Sequence, residues 1–198
     1  PARYQIWMDG FEKLTIDEQV RLADVMNIGK IVNRSRNGIE INEYVLDGDR
    51  HEAWIAELVG STADSGEMVN GIITQGTDGN GVIFTSPPNA AGPKCMNGSK
   101  GTAKIVEKKP GYIKISTDLD KNGWLFWSQS WYPGWTAVID GVQKEDVEIA
   151  NYLFQAVCVP EGTHEVEIIY RPITFSAGAL ISTLSIAFVI LFQRIKKV

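Results

Sequence analysis

From position 102 onward, apolar and polar residues alternate with a period of two, in short runs broken by turn residues. Thr102–Lys108, Gly111–Thr117 and Gly123–Gln129 come first, followed by Trp135–Ile139 and later by His164–Tyr170. Such alternation predicts strands that bury one face. Trp135, Ala137 and Ile139 fall on one side of their strand, as do His164, Val166, Ile168 and Tyr170. In Gly123–Gln129 the same rule separates Trp124 and Phe126 from Leu125 and Trp127, so one of these pairs is expected to face outward. The breaks have turn chemistry. Pro133 presets φ and Gly134 accepts a positive φ, which suits a type II turn over Tyr132–Trp135. Asp140-Gly141 is a hairpin signal, Pro110-Gly111 marks another turn, and Val159–Gly162 fits a type I turn that closes the next strand pair. About seven strands in roughly seventy residues predict an antiparallel β-sandwich, since a single sheet would leave one apolar face wet.

Upstream the pattern changes. Thr15 and Glu18 are spaced as a capping box before Ile16, Val20 and Ala23, which predicts a helix over Ile16–Met26. Lys30–Val32 reads as extended, and Asn37-Gly38 as a turn into an alternating strand, Ile39–Val45. His51–Leu58 fits either a strand or a short helix. Residues 1–58 therefore form a small α/β piece. Residues 59–101 are crowded with Gly, Ser, Thr, Asn and Pro and predict a flexible connection in which only Gly81–Thr85 has strand character. The sandwich domain follows over 102–172.

Ile173–Phe192 carries no charge over 20 residues. As a helix it is about 30 Å long, the thickness of a bilayer core, and is expected to cross a membrane. Residues 193–198 contain Arg194, Lys196 and Lys197 and no acid, which predicts a cytoplasmic tail with residues 1–172 outside. Along the helix Ala179, Thr183 and Ala187 recur every fourth position, a spacing that lets helices approach closely in lipid.

Composition adds two constraints. Of 198 residues 44% are hydrophobic and 22% charged, as in an ordinary folded protein. The net charge is −5, and without the basic tail it is −8, so the domain offers nucleic acid no basic face. The chain begins at Pro1 without Met or a signal-peptide pattern and is read as the C-terminal piece of something longer.

Candidate chemistry is sparse. Trp124, Trp127, Trp131, Tyr132 and Trp135 crowd one stretch, and Trp127, Trp131, Tyr132 and Trp135 are the candidate carbohydrate-contacting residues, because aromatic faces stack on sugar rings. Two other roles fit the same rings, as sandwich core and as anchors at a membrane interface. Asp118–Gly123 spells D-x-D-x-N-G, the start of a calcium loop, but the twelfth position is Gln129 instead of an acid, and a surface turn is the better reading. Cys95 and Cys158 are the two cysteines, and outside the cytoplasm an even pair is often bridged; both the bridged and the free state stay open. His51 and His164 stand alone, no metal-ligand spacing is present, and no cofactor or catalytic constellation is expected in these residues.

The same stretch resembles the C-terminal end of bacterial YfhO-type membrane proteins. The resemblance rests on Tyr132–Trp135, Asp140-Gly141, Asn151–Phe154, Pro160–His164 and the Tyr170–Pro172 exit into an apolar helix. It covers about Thr102–Phe192, is weaker over Pro1–Leu58, where it favours a strand at His51–Leu58, and is not seen between Val59 and Lys100. It implies a many-helix glycosyltransferase of the GT-C kind that takes sugar from a polyprenyl-phosphate carrier and transfers it to a cell-envelope glycopolymer. The implied partners of this piece are the lipid bilayer, upstream transmembrane helices of the same protein, and the envelope glycan. Its implied role is support or acceptor recognition, with the catalytic acid in an upstream loop. The alternative is a membrane-tethered carbohydrate-binding or purely structural module.

Overall fold

The computed structural model describes residues 14, 15, 17–19, 30–34, 41–45, 52–62, 67, 71, 81–84, 95 and 98–195. Strands are numbered in chain order. A small antiparallel pair joins β1 (Lys30–Arg34) to β2 (Ile41–Val45). A five-stranded sheet contains β6 (Gly101–Lys109), β7 (Tyr112–Leu119), β9 (Trp135–Ile139), β10 (Gln143–Glu145) and β13 (Gly162–Tyr170), in the order β10-β9-β13-β7-β6. A six-stranded sheet contains β3 (Ala53–Ala56), β4 (Leu58–Ser61), β5 (Gly81–Phe84), β8 (Gly123–Trp127), β11 (Glu148–Ala150) and β12 (Phe154–Val159), in the order β3-β8-β12-β11-β5-β4. All pairings are antiparallel except β4 with β5, which is parallel. The helix Ile173–Ile195 follows β13.

The core lies between the two larger sheets, as in a β-sandwich. Ile113 and Ile115 of β7, Ala137 and Ile139 of β9, and Val166 and Ile168 of β13 meet Leu125 and Trp127 of β8 and Val157 and Val159 of β12. The two-residue period marks these positions; burial alternates along the whole of β7, whereas on β9 and β13 Ala137, Ile139, Val166 and Ile168 are buried and Trp135, His164 and Tyr170 on the same side are half-buried.

On β8 the expectation of one outward pair fails. Trp124, Leu125, Phe126 and Trp127 are all buried. Leu125 and Trp127 enter the sandwich core. Phe126 lies on the opposite face, where its ring centroid is 4.0 Å from Trp54 and 5.8 Å from Phe154. β8 is a central strand between β3 and β12, and its run of large apolar residues reflects burial on both sides.

The sandwich also draws on residues outside 102–172, because β3, β4 and β5 belong to the same sheet as β8. His51–Leu58 is strand over Ala53–Ala56, and the extended Gly81–Thr85 run appears as β5. At Thr15 the capping box is formed: the Thr15 N–H donates to Glu18 Oε2 at 2.8 Å and residues 17–19 are helical. The rest of the helix expected over Ile16–Met26, the Asn37-Gly38 turn, His51 and most of 59–101 lie outside the described residues.

From β6 onward, connections within a sheet are hairpins: β6 to β7 through Pro110-Gly111, β9 to β10 through Asp140-Gly141, and β11 to β12 through Asn151–Leu153. All others after β6 cross between sheets. The Pro160-Glu161 turn is one of these. It was expected to close a strand pair, but β12 bonds to β8 and β11, whereas β13 bonds to β7 and β9. Its sequence does not distinguish a hairpin from a corner between layers, because the register partners are remote in sequence.

Two arrangements hold the corners. In Asp118–Gly123, Asp120 Oδ1 accepts the Lys100 N–H at 2.8 Å, Asn122 Oδ1 accepts the Glu161 N–H at 2.9 Å, and Asp118 Oδ1 accepts the Thr163 hydroxyl at 3.1 Å. These bonds engage side-chain oxygens that a calcium loop would turn toward the ion, so the segment works as a corner lock. Cys95 and Cys158 are joined by a disulfide with a Cα–Cα distance of 5.7 Å, within the usual range. Cys158 lies on the β12 face opposite Val157 and Val159, and the bridge holds Cys95 against that side of the six-stranded sheet.

Candidate functional site: an aromatic cleft at the helix exit

Two turns converge where the chain leaves the sandwich. The Tyr170 N–H donates to Gly111 O at 2.8 Å, and the Arg171 N–H donates to Gly134 O at 2.7 Å. Gly134 has φ 115°, and a Cβ placed there would stand 2.9 Å from Pro172 Cα. Both conditions call for glycine. The turn read from Pro133-Gly134 is thus also a clamp on the strand-to-helix exit.

Beside this clamp lies a cleft of about 560 Å³, in the range of small-molecule sites. The β6–β7 turn supplies Lys108, Lys109 and Tyr112; the connection after β8 supplies Gln129, Ser130 and Tyr132; the strand ends supply Trp135 and Tyr170. Trp135 and Tyr170 are register partners on β9 and β13, and their ring centroids lie 4.9 Å apart at 40°. Tyr132 is 59% exposed. Burial, helped by the negative charges of Glu167 and Glu107, raises the Tyr112 pKa above its ordinary value, so the phenol stays protonated and able to donate. Lys108 meets both carboxylate oxygens of Glu52, at 2.8 and 2.9 Å, and Lys109 is paired with Glu107.

Of the four candidate carbohydrate-contacting residues, the cleft brings together Tyr132 and Trp135. Trp127 is 1% exposed and belongs to the core, so it is no part of a surface. Trp131 serves as a bolt: its backbone N–H donates to Leu153 O at 2.6 Å and its indole N–H to Val147 O at 3.0 Å. Gln155, fully buried, holds the neighbouring Ser130 carbonyl through Nε2 at 2.8 Å. Its Oε1 and the Trp127 Nε1 are buried without hydrogen-bond partners, and the two residues are register partners on β12 and β8.

Sequence reasoning missed Tyr112, Gln129 and Tyr170 as members of the cleft. The two-residue period puts Tyr170 and Trp135 on the same side of their own strands as the apolar residues, but nothing local says that these strands are neighbours. Of the two histidines, His164 is described: Nδ1 is 2.7 Å from Asp140 Oδ2 and Nε2 is 3.0 Å from Glu161 O. No group of three or more His, Cys, Asp or Glu able to hold a metal occurs among the described residues.

Fold and site together define a class: a β-sandwich domain with an aromatic cleft, clamped to an apolar helix. The family model described as bacterial membrane protein YfhO matches residues 83–182, half of the chain, and the chain belongs to that family. The match begins at 83, inside the stretch 59–100 where the residues by themselves had shown no resemblance. No curated protein and no solved structure matches the chain. Among the described residues no helix is long and apolar enough to cross a membrane; on Ile173–Ile195 the described side chains are those of 173–188 and Phe192.

Proposed function

We propose that this chain is the extracytoplasmic β-domain and last membrane helix of a polytopic glycosyltransferase, which moves sugar from a polyprenyl-phosphate donor to a cell-envelope glycopolymer. Catalysis resides upstream, and this piece recognises the acceptor or supports the site. The observation that carries the reading is membership of a membrane-protein family combined with an apolar helix rooted in the sandwich. Ile173 is 85% exposed, Phe175 76% and Phe188 68%, and side chains this apolar call for lipid or other helices around them. The sequence supports the reading: Ile173–Phe192 carries no charge, and Arg194, Lys196 and Lys197 lie just beyond, the charge pattern of a segment whose basic end stays in the cytoplasm.

Topology and activity test this together. In the complete protein, a reporter active only in the cytoplasm gives signal when fused at Val198 and none when inserted at the exposed Gly141-Val142 turn. The protein reconstituted in membranes transfers sugar from a polyprenyl-phosphate donor, whereas residues 1–198 alone transfer none. A silent Val198 fusion, or transfer by the fragment alone, would sink the reading. A second reading, a purely structural brace, is favoured by the Gly134–Arg171 clamp, which fixes the exit without help from a ligand.

A further inference from the structure

We infer that the cleft at the helix exit is a binding site for a neutral, pyranose-rich glycan, two or three sugar units long. This deepens the acceptor-recognition role proposed above and rests on it, adding the ligand's chemistry and the residues that read it. Sugar rings present apolar C–H faces and a rim of hydroxyls, so a site for them needs aromatic faces beside amide and hydroxyl groups. Tyr112, Tyr132, Trp135 and Tyr170 supply the former, and Gln129 and Ser130 the latter. A second cavity, lined by Ala53, Trp54, Ile55 and Glu57, lacks this combination: it is smaller, about 300 Å³, and holds a single aromatic ring.

Charge decides the class of glycan. The two cations on the cleft are each engaged by a carboxylate, Lys108 by Glu52 and Lys109 by Glu107. A uronate or phosphate entering the cleft would have to compete with these carboxylates and would meet their negative charge, whereas a neutral hydroxyl rim can donate to them and accept from the ammonium groups. The walls are also fixed before any ligand arrives. Ser130 is tied to Gln155, Trp131 is bonded at both its nitrogens, and Gly111 and Gly134 hold Tyr170 and Arg171. A preformed cleft loses little freedom on binding, which favours even a weak ligand class such as neutral sugars.

The test is calorimetric titration of the complete protein in nanodiscs with neutral trisaccharides of glucose, galactose and N-acetylglucosamine, beside a uronic-acid trisaccharide. At least one neutral trisaccharide is expected to bind, with the uronate weaker by about fivefold or more. Tyr132→Ala and Gln129→Ala, both outside the core, should each weaken binding by about fivefold without changing the melting temperature. The proposal is overturned if no neutral trisaccharide binds, if the uronate binds more tightly, or if both variants melt normally and keep full affinity. It is overturned equally if brominated lipids quench Trp135 fluorescence and sugars leave it unchanged, since the rings then sit in the bilayer interface. Failure here differs from failure of the enzymatic reading: sugar transfer that persists with an unchanged acceptor KM in Tyr132→Ala removes the cleft and leaves the glycosyltransferase. Sugar binding without any transfer does the reverse.

Discussion

His164 and Asp140 join two turns that lie 24 residues apart: Nδ1 of the imidazole is 2.7 Å from Asp140 Oδ2, while Nε2 faces the Glu161 carbonyl at 3.0 Å. Both ring nitrogens face acceptors, and only the protonated imidazolium donates to both. The hydrogen bond that His164 donates to the Asp140 carboxylate is the main cause of a His164 pKa raised above the ordinary 6.5, against an opposing effect of burial. Asp140 is depressed below 3.8, chiefly because its carboxylate accepts the Glu165 N–H and then because of His164.

The signs give a stability window. The raised His164 contributes stability that is complete below pH 6.5 and is lost as pH climbs through its folded value. The depressed Asp140 contributes above pH 3.8 and is lost as pH falls through its folded value. The melting temperature is therefore expected to fall as pH rises from 6.5 through the folded value of His164, and His164→Gln should flatten that limb. Asp140 is 52% exposed on its side chain, so a double-mutant cycle should return no more than about 1 kcal/mol. A wild-type alkaline limb that survives in His164→Gln would assign the effect elsewhere.

The disulfide closes a sequence separation of 63 residues, and such a loop restricts the unfolded chain strongly. Replacing both Cys95 and Cys158 by Ala is expected to cost about 2–4 kcal/mol in denaturant unfolding. Adding reductant to the wild type should bring it to the same midpoint. Equal midpoints for oxidised and reduced wild type would contradict this.

Trp127 and Tyr132 separate core from surface within one aromatic cluster. Trp127→Ala removes a ring that is 1% exposed and should destabilise the domain by about 3–5 kcal/mol. Tyr132→Ala removes one that is 59% exposed and should stay within about 0.5 kcal/mol of wild type. Thermal melts of the two variants decide it, and similar losses would mean that Tyr132 is packed.

Gly134→Ala tests the exit clamp. The residue combines a φ of 115° with a Cβ position 2.9 Å from Pro172, so a side chain is strained by its backbone and crowded by its neighbour. A loss of at least about 1 kcal/mol is expected. It should be accompanied by faster amide exchange at Arg171, whose N–H is donated to the Gly134 carbonyl. Wild-type exchange at Arg171 would show that the clamp is not needed.

Local chemistry made much of the sandwich legible: β6, β7, β8, β9 and β13, the Pro133-Gly134 and Asp140-Gly141 turns, and the shared side of the apolar residues on β9 and β13 follow from spacing that neighbouring residues determine. Layer assignment did not follow, because a turn sequence such as Pro160-Glu161-Gly162 serves a hairpin or a corner equally well. The turn at Asn151–Leu153 was hidden for a different reason. It places Asn151 at φ 46° and Tyr152 at φ 69° without any glycine, so the stretch reads as part of a strand. Half of the candidate site was visible in Tyr132 and Trp135, which are close in sequence. Tyr112 and Tyr170 join them only through the β7–β13 and β9–β13 registers, which depend on pairing across long separations.

The place of β13 has a temporal consequence. It sits between β7 and β9, so neither the β6–β7 hairpin nor the β9–β10 hairpin can be joined to the other until it arrives. It is also the last of the described strands to be made, ending at Tyr170 with the apolar helix beginning at Ile173. On a growing chain synthesised at about 5–20 residues per second, the two hairpins wait as separate flaps while the intervening strands emerge. The sandwich closes only when the segment that leads into the helix is in place, so the final step of domain folding coincides with the emergence of the apolar helix.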